Sequence, residues 1–245
     1  MTSDEHNFEG KIALVTGATR GIGRAIALGL AQQGAHIIAV GRTQGALEEL
    51  DDDIGKTAGS CSLVPADLKD GEGIDRLGGV IAERWGHLDI LIGNAGQLGM
   101  VGPAAHIDPK TWDDVMAVNV TANWRLIRAM DPLLRAAPAG RAVFVTSGAS
   151  HNLRPFFALY SASKAALDAL VICYAKEVEK LSLRVNLLNP GPMRTAMRQK
   201  FMPGEDPMSV TPPEDLVPLF LELCSPGCTR NGEWVDFQEW QNSRS

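Results

Sequence analysis

Tyr160 and Lys164 stand four residues apart in the run Tyr160-Ser161-Ala162-Ser163-Lys164. On a helix that spacing puts the phenol and the ammonium on one face. An unperturbed phenol, with a pKa of about 10, exchanges its proton poorly at neutral pH. A cation beside it favours the ionised form, so Lys164 is expected to lower the Tyr160 pKa. A tyrosine tuned in this way can give or take the proton that interconverts a carbonyl and an alcohol. Ser147 closes the run Arg141-Ala142-Val143-Phe144-Val145-Thr146-Ser147 and can hydrogen-bond the same oxygen. A solvated Tyr–Lys pair on an exposed helix has the same spacing, so the surrounding elements decide between the two readings.

Those elements begin at the N-terminal end. Lys11-Ile12-Ala13-Leu14-Val15 reads as a short buried strand, and residues 24–31 read as an amphipathic helix. Between them lies Thr16-Gly17-Ala18-Thr19-Arg20-Gly21-Ile22-Gly23. Strand, glycine-rich turn and helix together are what a dinucleotide pyrophosphate requires. Gly17, Gly21 and Gly23 allow the tight turn and close approach, and the helix N-terminus at Thr19, Arg20 and Ile22 supplies backbone donors. Further along, strands are expected at about 11–16, 36–40, 61–65, 88–92, 141–146, 183–188 and 233–236. Helices are expected at about 21–33, 44–54, 71–84, 111–135, 158–180 and 212–223. Strand and helix alternate throughout, which predicts a single α/β domain with a doubly wound parallel sheet of about seven strands and helices on both faces. In such a sheet ligands sit beyond the C-terminal strand ends. Gly17, Arg42, Asp67, Asn94, Ser147 and Pro190 follow the first six strands in turn.

With these pieces joined, the chain resembles the short-chain dehydrogenase/reductase family in its single-domain, Rossmann-type form. The matching motifs are Thr16-Gly-x-x-x-Gly-x-Gly23, Asp67-Leu68, Asn94-Ala95-Gly96, Asn119, Ser147, Tyr160-x-x-x-Lys164 and Pro190-Gly191. They occur in the family's order, and the resemblance runs from about Lys11 to about Trp234. The resemblance implies that Tyr160 is the general acid and base and that Ser147 holds the substrate oxygen. It implies that Lys164 binds the nicotinamide ribose and that Asn119 kinks its helix and holds a water on the proton relay. Asp67 and Leu68 would meet the adenine. Asn94, Ala95 and Gly96 would pass under the ribose. The backbone near Met193 would meet the carboxamide and Thr195 the carboxamide or the phosphates, with transfer of the pro-S hydride. Two departures stand out: Gly93 where the family more often has an asparagine, and Phe237-Gln238-Glu239-Trp240 in place of an Asp-Gly-Gly ending.

An NAD site usually carries an acid roughly 20 residues beyond the glycine motif. Here the second strand ends in Gly41-Arg42-Thr43. Arg42 is placed to meet a 2′-phosphate as a charge-assisted fork, and Arg20 approaches from the glycine turn. NADP(H) is therefore expected over NAD(H).

The formal net charge of −6 and the lack of a basic cluster argue against nucleic acid as a partner. No apolar run reads as a membrane span. Residues 1–10 are polar and acidic and read as a flexible arm rather than a signal peptide. Cys61, Cys173, Cys224 and Cys228 are expected to be reduced in a cytoplasm and to hold no metal. The alanine-rich helix at 158–180 and the helix at 111–135 imply, through the resemblance, a homo-oligomer, dimer or tetramer, with the tetramer as the working expectation. Substrate choice should rest on residues 97–107, 148–157 and a lid at 195–211 bearing Met197, Phe201, Met202 and Met208. A 3-oxoacyl thioester reductase leads, ahead of an NAD-dependent dehydrogenase of a small or sugar alcohol. A non-catalytic dinucleotide sensor and an epimerase-type enzyme are the rival classes.

Overall fold

The computed structural model describes residues 7–244. Among them seven strands form one sheet in the order β3-β2-β1-β4-β5-β6-β7, every neighbouring pair parallel. The strands are β1 Ile12–Thr16, β2 His36–Gly41, β3 Ser60–Pro65, β4 Ile90–Gly93, β5 Arg141–Val145, β6 Arg184–Asn189 and β7 Trp234–Asp236. The helices are α1 Gly21–Gln32, α2 Gln44–Ile54, α3 Gly71–Trp85, α4 Pro109–Met116, α5 Ala122–Ala136, α6 Ala149–Asn152, α7 Ala158–Glu177, α8 Ala196–Phe201, α9 Val217–Cys224 and α10 Phe237–Asn242. This is the doubly wound sheet that the alternating pattern predicts.

Side chains alternate along each strand and feed two cores. Ala13, Val15, Ile37 and Ala39 face Ile26 and Leu30 of α1 and Leu219 and Phe220 of α9. Leu14, Ile38, Leu91 and Phe144 face Leu126 and Met130 of α5 and Leu167 and Val171 of α7. Burial on both sides explains why the central strands read as near-continuous apolar runs. Phe8, from the stretch read as an arm, is 1% exposed in the first core, and its N–H donates to the Gln33 carbonyl. Residues 1–6 of that expected arm lie outside the described residues.

Local signals fix the helix ends. Asp70 caps α3 by accepting from the Gly73 N–H, and Gly86 closes it with φ 72°. Asp108 caps α4, with Pro109 at its first position. The helix expected over 111–135 is three segments: α4, a π-helical turn at Ala117–Thr121, and α5. By length and composition α7 could cross a bilayer, its best window having mean hydropathy 1.2, but half of that window is buried in the fold. At the N-terminal edge of the sheet, the Arg141 guanidinium is buried and donates to five carbonyls, those of Gly140, Ser182, Ser225, Pro226 and Cys228. All four cysteines are free.

Candidate active site

A cleft of about 1380 Å³ runs along the C-terminal strand ends. Gly17, Thr19, Arg20, Gly21 and Ile22 line one end, with Arg42, Asp67 and Leu68 beside them. Asn94, Ala95 and Gly96 line its floor, and Pro190, Gly191, Met193 and Thr195 its far wall. Ser147, Tyr160 and Lys164 meet at its centre. Of the residues singled out from sequence, Gly23 and Asn119 stand behind the lining rather than in it.

The glycine turn is shaped by close approach. Gly17 and Gly21 have φ of +64° and +53°, a region that other residues seldom enter. A Cβ on Gly23 would lie 2.3 Å from the Gly17 carbonyl oxygen and 2.4 Å from Asn94 Nδ2. The first turn of α1 therefore packs directly on the turn before it, leaving backbone N–H groups facing the cleft. That cradle fits a dinucleotide pyrophosphate. Arg20 and Arg42 are exposed on its rim and form no ion pair among the described residues. A carboxylate on Asp67 accepts from the Lys69 N–H at 3.0 Å, which tightens the turn after β3.

Polar side chains in or beside the motifs hold the loops. The Thr16 hydroxyl accepts from the backbone N–H of Asn94 at 2.9 Å and of Ala95 at 3.1 Å. Asn94 Nδ2 in turn donates to the Thr16 carbonyl at 2.8 Å, so this side chain joins two turns instead of facing the cleft. Asn189 accepts from the Gly148 N–H at 2.9 Å and donates to Asp236 at 2.7 Å, tying the ends of β5, β6 and β7. Gly93 proves obligatory: a Cβ there would lie 2.3 Å from Phe144 and 2.7 Å from Asn123. Its neighbour's amide is used elsewhere, since Asn123 Nδ2 donates to the Asn119 carbonyl at 2.9 Å.

Asn119 lies in the π-helical turn and is fully buried. Its amide exchanges hydrogen bonds with the Gln97 backbone, 2.8 Å each way, and donates to Ser163 Oγ at 2.9 Å. Ser163 Oγ donates on to the Tyr160 carbonyl at 2.8 Å. The kink thereby locks the loop after β4 to the first turn of α7. π-Turns of this sort interrupt helices mostly where a site needs them.

One expectation is corrected. Tyr160 is raised above its ordinary pKa, not lowered: burial of the phenol dominates, and the Ser147 hydroxyl opposes it. Helical spacing shows that Lys164 shares a face with Tyr160, but not where its charge points. Lys164 Nζ donates to the Val145 carbonyl at 2.8 Å and lies 5.9 Å from the Tyr160 ring centre. Lys164 is itself 4% exposed, and burial pulls its pKa down to about 8, with Asp168 pushing the other way.

The third wall mixes Phe157, Met197 and Phe201 with Arg154, Arg198 and Lys200, and the chain beside it is irregular. Leu153 and Phe156 are exposed non-glycine residues with φ of 42° and 71°. Phe157 meets Phe201 edge-on at 4.9 Å, joining the segment after β5 to α8. Residues 195–211 are folded: Thr195 caps α8, Arg198 pairs with Glu205 through both carboxylate oxygens, and Met193 bridges to Thr211 at the base. The atypical C-terminal residues form α10, capped by Asp236, and bring Gln238 and Glu239 to the cleft edge. Among the described residues no group of His, Cys, Asp and Glu could hold a metal ion.

The sequence profile described as short chain dehydrogenase matches residues 11–206. The chain is 38% identical over 216 residues to the uncharacterized oxidoreductase YciK of Escherichia coli strain K12, covering 87% of this chain and 85% of that protein. A short chain dehydrogenase from Escherichia coli CFT073, crystallised with NADPH, superposes with a TM-score of 0.87 at 37% identity, covering 93% of this chain and 96% of that one. One from Shigella flexneri 2a strain 301, complexed with NADP, gives 0.88 at 36% identity over 94% and 98%.

Proposed function

The chain belongs to the short-chain dehydrogenase/reductase family, a class of NAD(P)-dependent oxidoreductases, and from that premise we propose that it moves a hydride between NADP(H) and a carbonyl or secondary alcohol. The observation that carries the reading is the meeting of Ser147, Tyr160 and Lys164 at the centre of a cleft with two unpaired arginines at one end. The NADPH and NADP bound to the two relatives support the choice of cofactor.

When bound, NADP(H) supplies or accepts the hydride; the remaining work belongs to the chain. Backbone donors at the turn from Gly17 to Ile22 hold the pyrophosphate. Arg20 and Arg42 engage the 2′-phosphate. Asp67 and Leu68 meet the adenine, and Asn94, Ala95 and Gly96 form the floor. Pro190, Gly191, Met193 and Thr195 orient the nicotinamide carboxamide, and Lys164 binds the ribose hydroxyls. In reduction, the Tyr160 hydroxyl gives its proton to the substrate oxygen, which Ser147 holds by a hydrogen bond. Lys164 balances the phenolate that this leaves. Asn119 keeps the loop after β4 and the start of α7 in register. Because burial raises its pKa, Tyr160 carries a proton at neutral pH, ready to act as an acid. Alcohol oxidation needs the phenolate and gains as pH rises.

The substrate is a ketone with an apolar body, a 3-oxoacyl thioester being the first class to test. Phe157, Met197 and Phe201 in the cleft lining support this, with 195–211 acting as the lid. The protein assembles as a homotetramer through α5 and α7; exposed Trp124 on α5, with Arg125 and Arg128 at its ring, supports a covered face there. A monomer mass in light scattering would count against assembly. NADPH oxidation should be followed with 3-oxoacyl thioesters, aliphatic ketones and sugar-derived ketones. Turnover lost in Tyr160→Phe upholds the reaction. Turnover unaffected by that change overturns the role of Tyr160. Tight NADPH binding without turnover of any ketone favours a sensor.

A further inference from the structure

Three successive residues at the end of β5 engage three residues spaced by four along α7. The Val145 carbonyl accepts from Lys164 Nζ at 2.8 Å. Thr146 Oγ1 donates to Asp168 Oδ1 in a short hydrogen bond. The Ser147 hydroxyl neighbours that of Tyr160 and favours its ionised form. Tyr160, Lys164 and Asp168 thus form one stripe of the helix, read by a strand end as three rungs. Two of the rungs belong to the chemistry proposed above. The third has no part in it.

Asp168 is only 9% exposed. Its Oδ2 is buried and has no hydrogen-bond partner among the described residues. A carboxylate buried with an oxygen uncommitted is costly unless a nearby charge compensates it. Two basic side chains face it. His151 Nε2 on α6 stands 3.8 Å from Oδ2, its side chain 58% exposed and its ring against that of Trp234. Lys164, one turn back on α7, is the buried one. The groups that meet Lys164 and Asp168 from the β5 end and the loop after β4 are neutral: the Val145 carbonyl, the Thr146 hydroxyl and Gly96.

We propose that Asp168 is a positioning residue for the site, anchored by Thr146, whose buried negative charge balances the Lys164 ammonium and holds it as a cation. Burial works against that cation, and Asp168 opposes the effect. Removing the carboxylate leaves the burial unopposed. No direct ion pair is needed, because an interaction along one helix face in a poorly solvated interior is weakly screened.

The test is a titration of lysine ¹³Cε shifts by NMR in the free protein, with Lys164 assigned through Lys164→Met. In Asp168→Asn the Lys164 midpoint should fall by about one pH unit, a tenfold loss of proton affinity. Asp168→Glu should restore most of it, and His151→Gln should leave it in place. An unchanged midpoint in folded Asp168→Asn overturns the proposal. Should that variant fail to fold, Thr146→Val decides: a smaller shift in the same direction supports the proposal, and none overturns it. The inference rests on the reading of Lys164 as a cofactor contact only for its consequence, which NADPH affinity measures separately. Affinity in Asp168→Asn should match wild type at pH 6.5 and fall several-fold at pH 8.5. A shifted midpoint with pH-independent affinity upholds Asp168 and counts against that contact.

Discussion

The two ends of the cleft are built differently. The turn from Gly17 to Gly23 is made of backbone, with positive φ, close approach and loops stitched by Thr16 and Asn94. The opposite end is made of side chains. Phe157, Met197 and Phe201 line it, beside the exposed Leu153 and Phe156 in their strained turn. A surface made of backbone tolerates little change, because an added side chain meets packed neighbours or a backbone conformation that it rarely adopts. A surface made of exposed side chains can vary while the frame stays put. On the proposed function, the first end recognises what every turnover shares and the second what is particular to one substrate.

Where the two ends meet, the largest effect is expected. Tyr160→Phe should lower the turnover of an active ketone by about 10²–10⁴-fold, the usual scale for a lost general acid. NADPH affinity, followed by fluorescence, should stay within a few-fold. Comparable losses in both would mean that the division between the ends is false. At the backbone end, Gly23→Ala should cost about 1–3 kcal/mol of stability by forcing the turn apart, seen as a lower Tm together with weaker NADPH binding. An unchanged Tm would show that this end is softer than its geometry implies. Arg42→Ala sharpens the contrast, since it removes charge and leaves the backbone intact. NADPH affinity should drop about 10–100-fold, the worth of a charged hydrogen bond, while NADH affinity holds. The smallest effect belongs to the side-chain end. Phe156→Gly should stabilise the fold by up to about 1 kcal/mol by relieving its φ of 71°. KM for an apolar ketone should rise in the same variant, and a destabilised protein would show that Phe156 is packed rather than displayed.

The backbone end was also the legible one. Glycine spacing, a buried strand before it and an apolar helix after it are local signals, and the seven strands fall within two residues of their expected places. Other features needed the third dimension. The helix over 111–135 reads as continuous in its apolar period; the resemblance pointed to a kink at Asn119, and its buried amide shows how the interruption is held. Helices α6, α8 and α10 are too short to show a period. The caps Thr195 and Asp236 are visible in hindsight, Asp236 standing three residues before Glu239. The direction of the Tyr160 shift was misjudged because spacing reveals a neighbour's charge and not the burial of the pair. Asp168 looked like an ordinary helix residue until its bond to Thr146 placed it inside. Nothing in the sequence marks Leu153 or Phe156 as residues with positive φ.

Arg141 makes one further contribution, at the edge of the sheet away from the cleft. By gathering five carbonyls from the entries of β5 and β6 and the loop after α9, a single planar cation clamps chain segments more than 80 residues apart in sequence. Motion is then unevenly distributed through the molecule. Amide protons of β5 and β6 near this clamp should be among the last to exchange with solvent deuterium, whereas those of 148–157 and 195–211 should exchange early. The protein would breathe at one rim only, pivoting on the other.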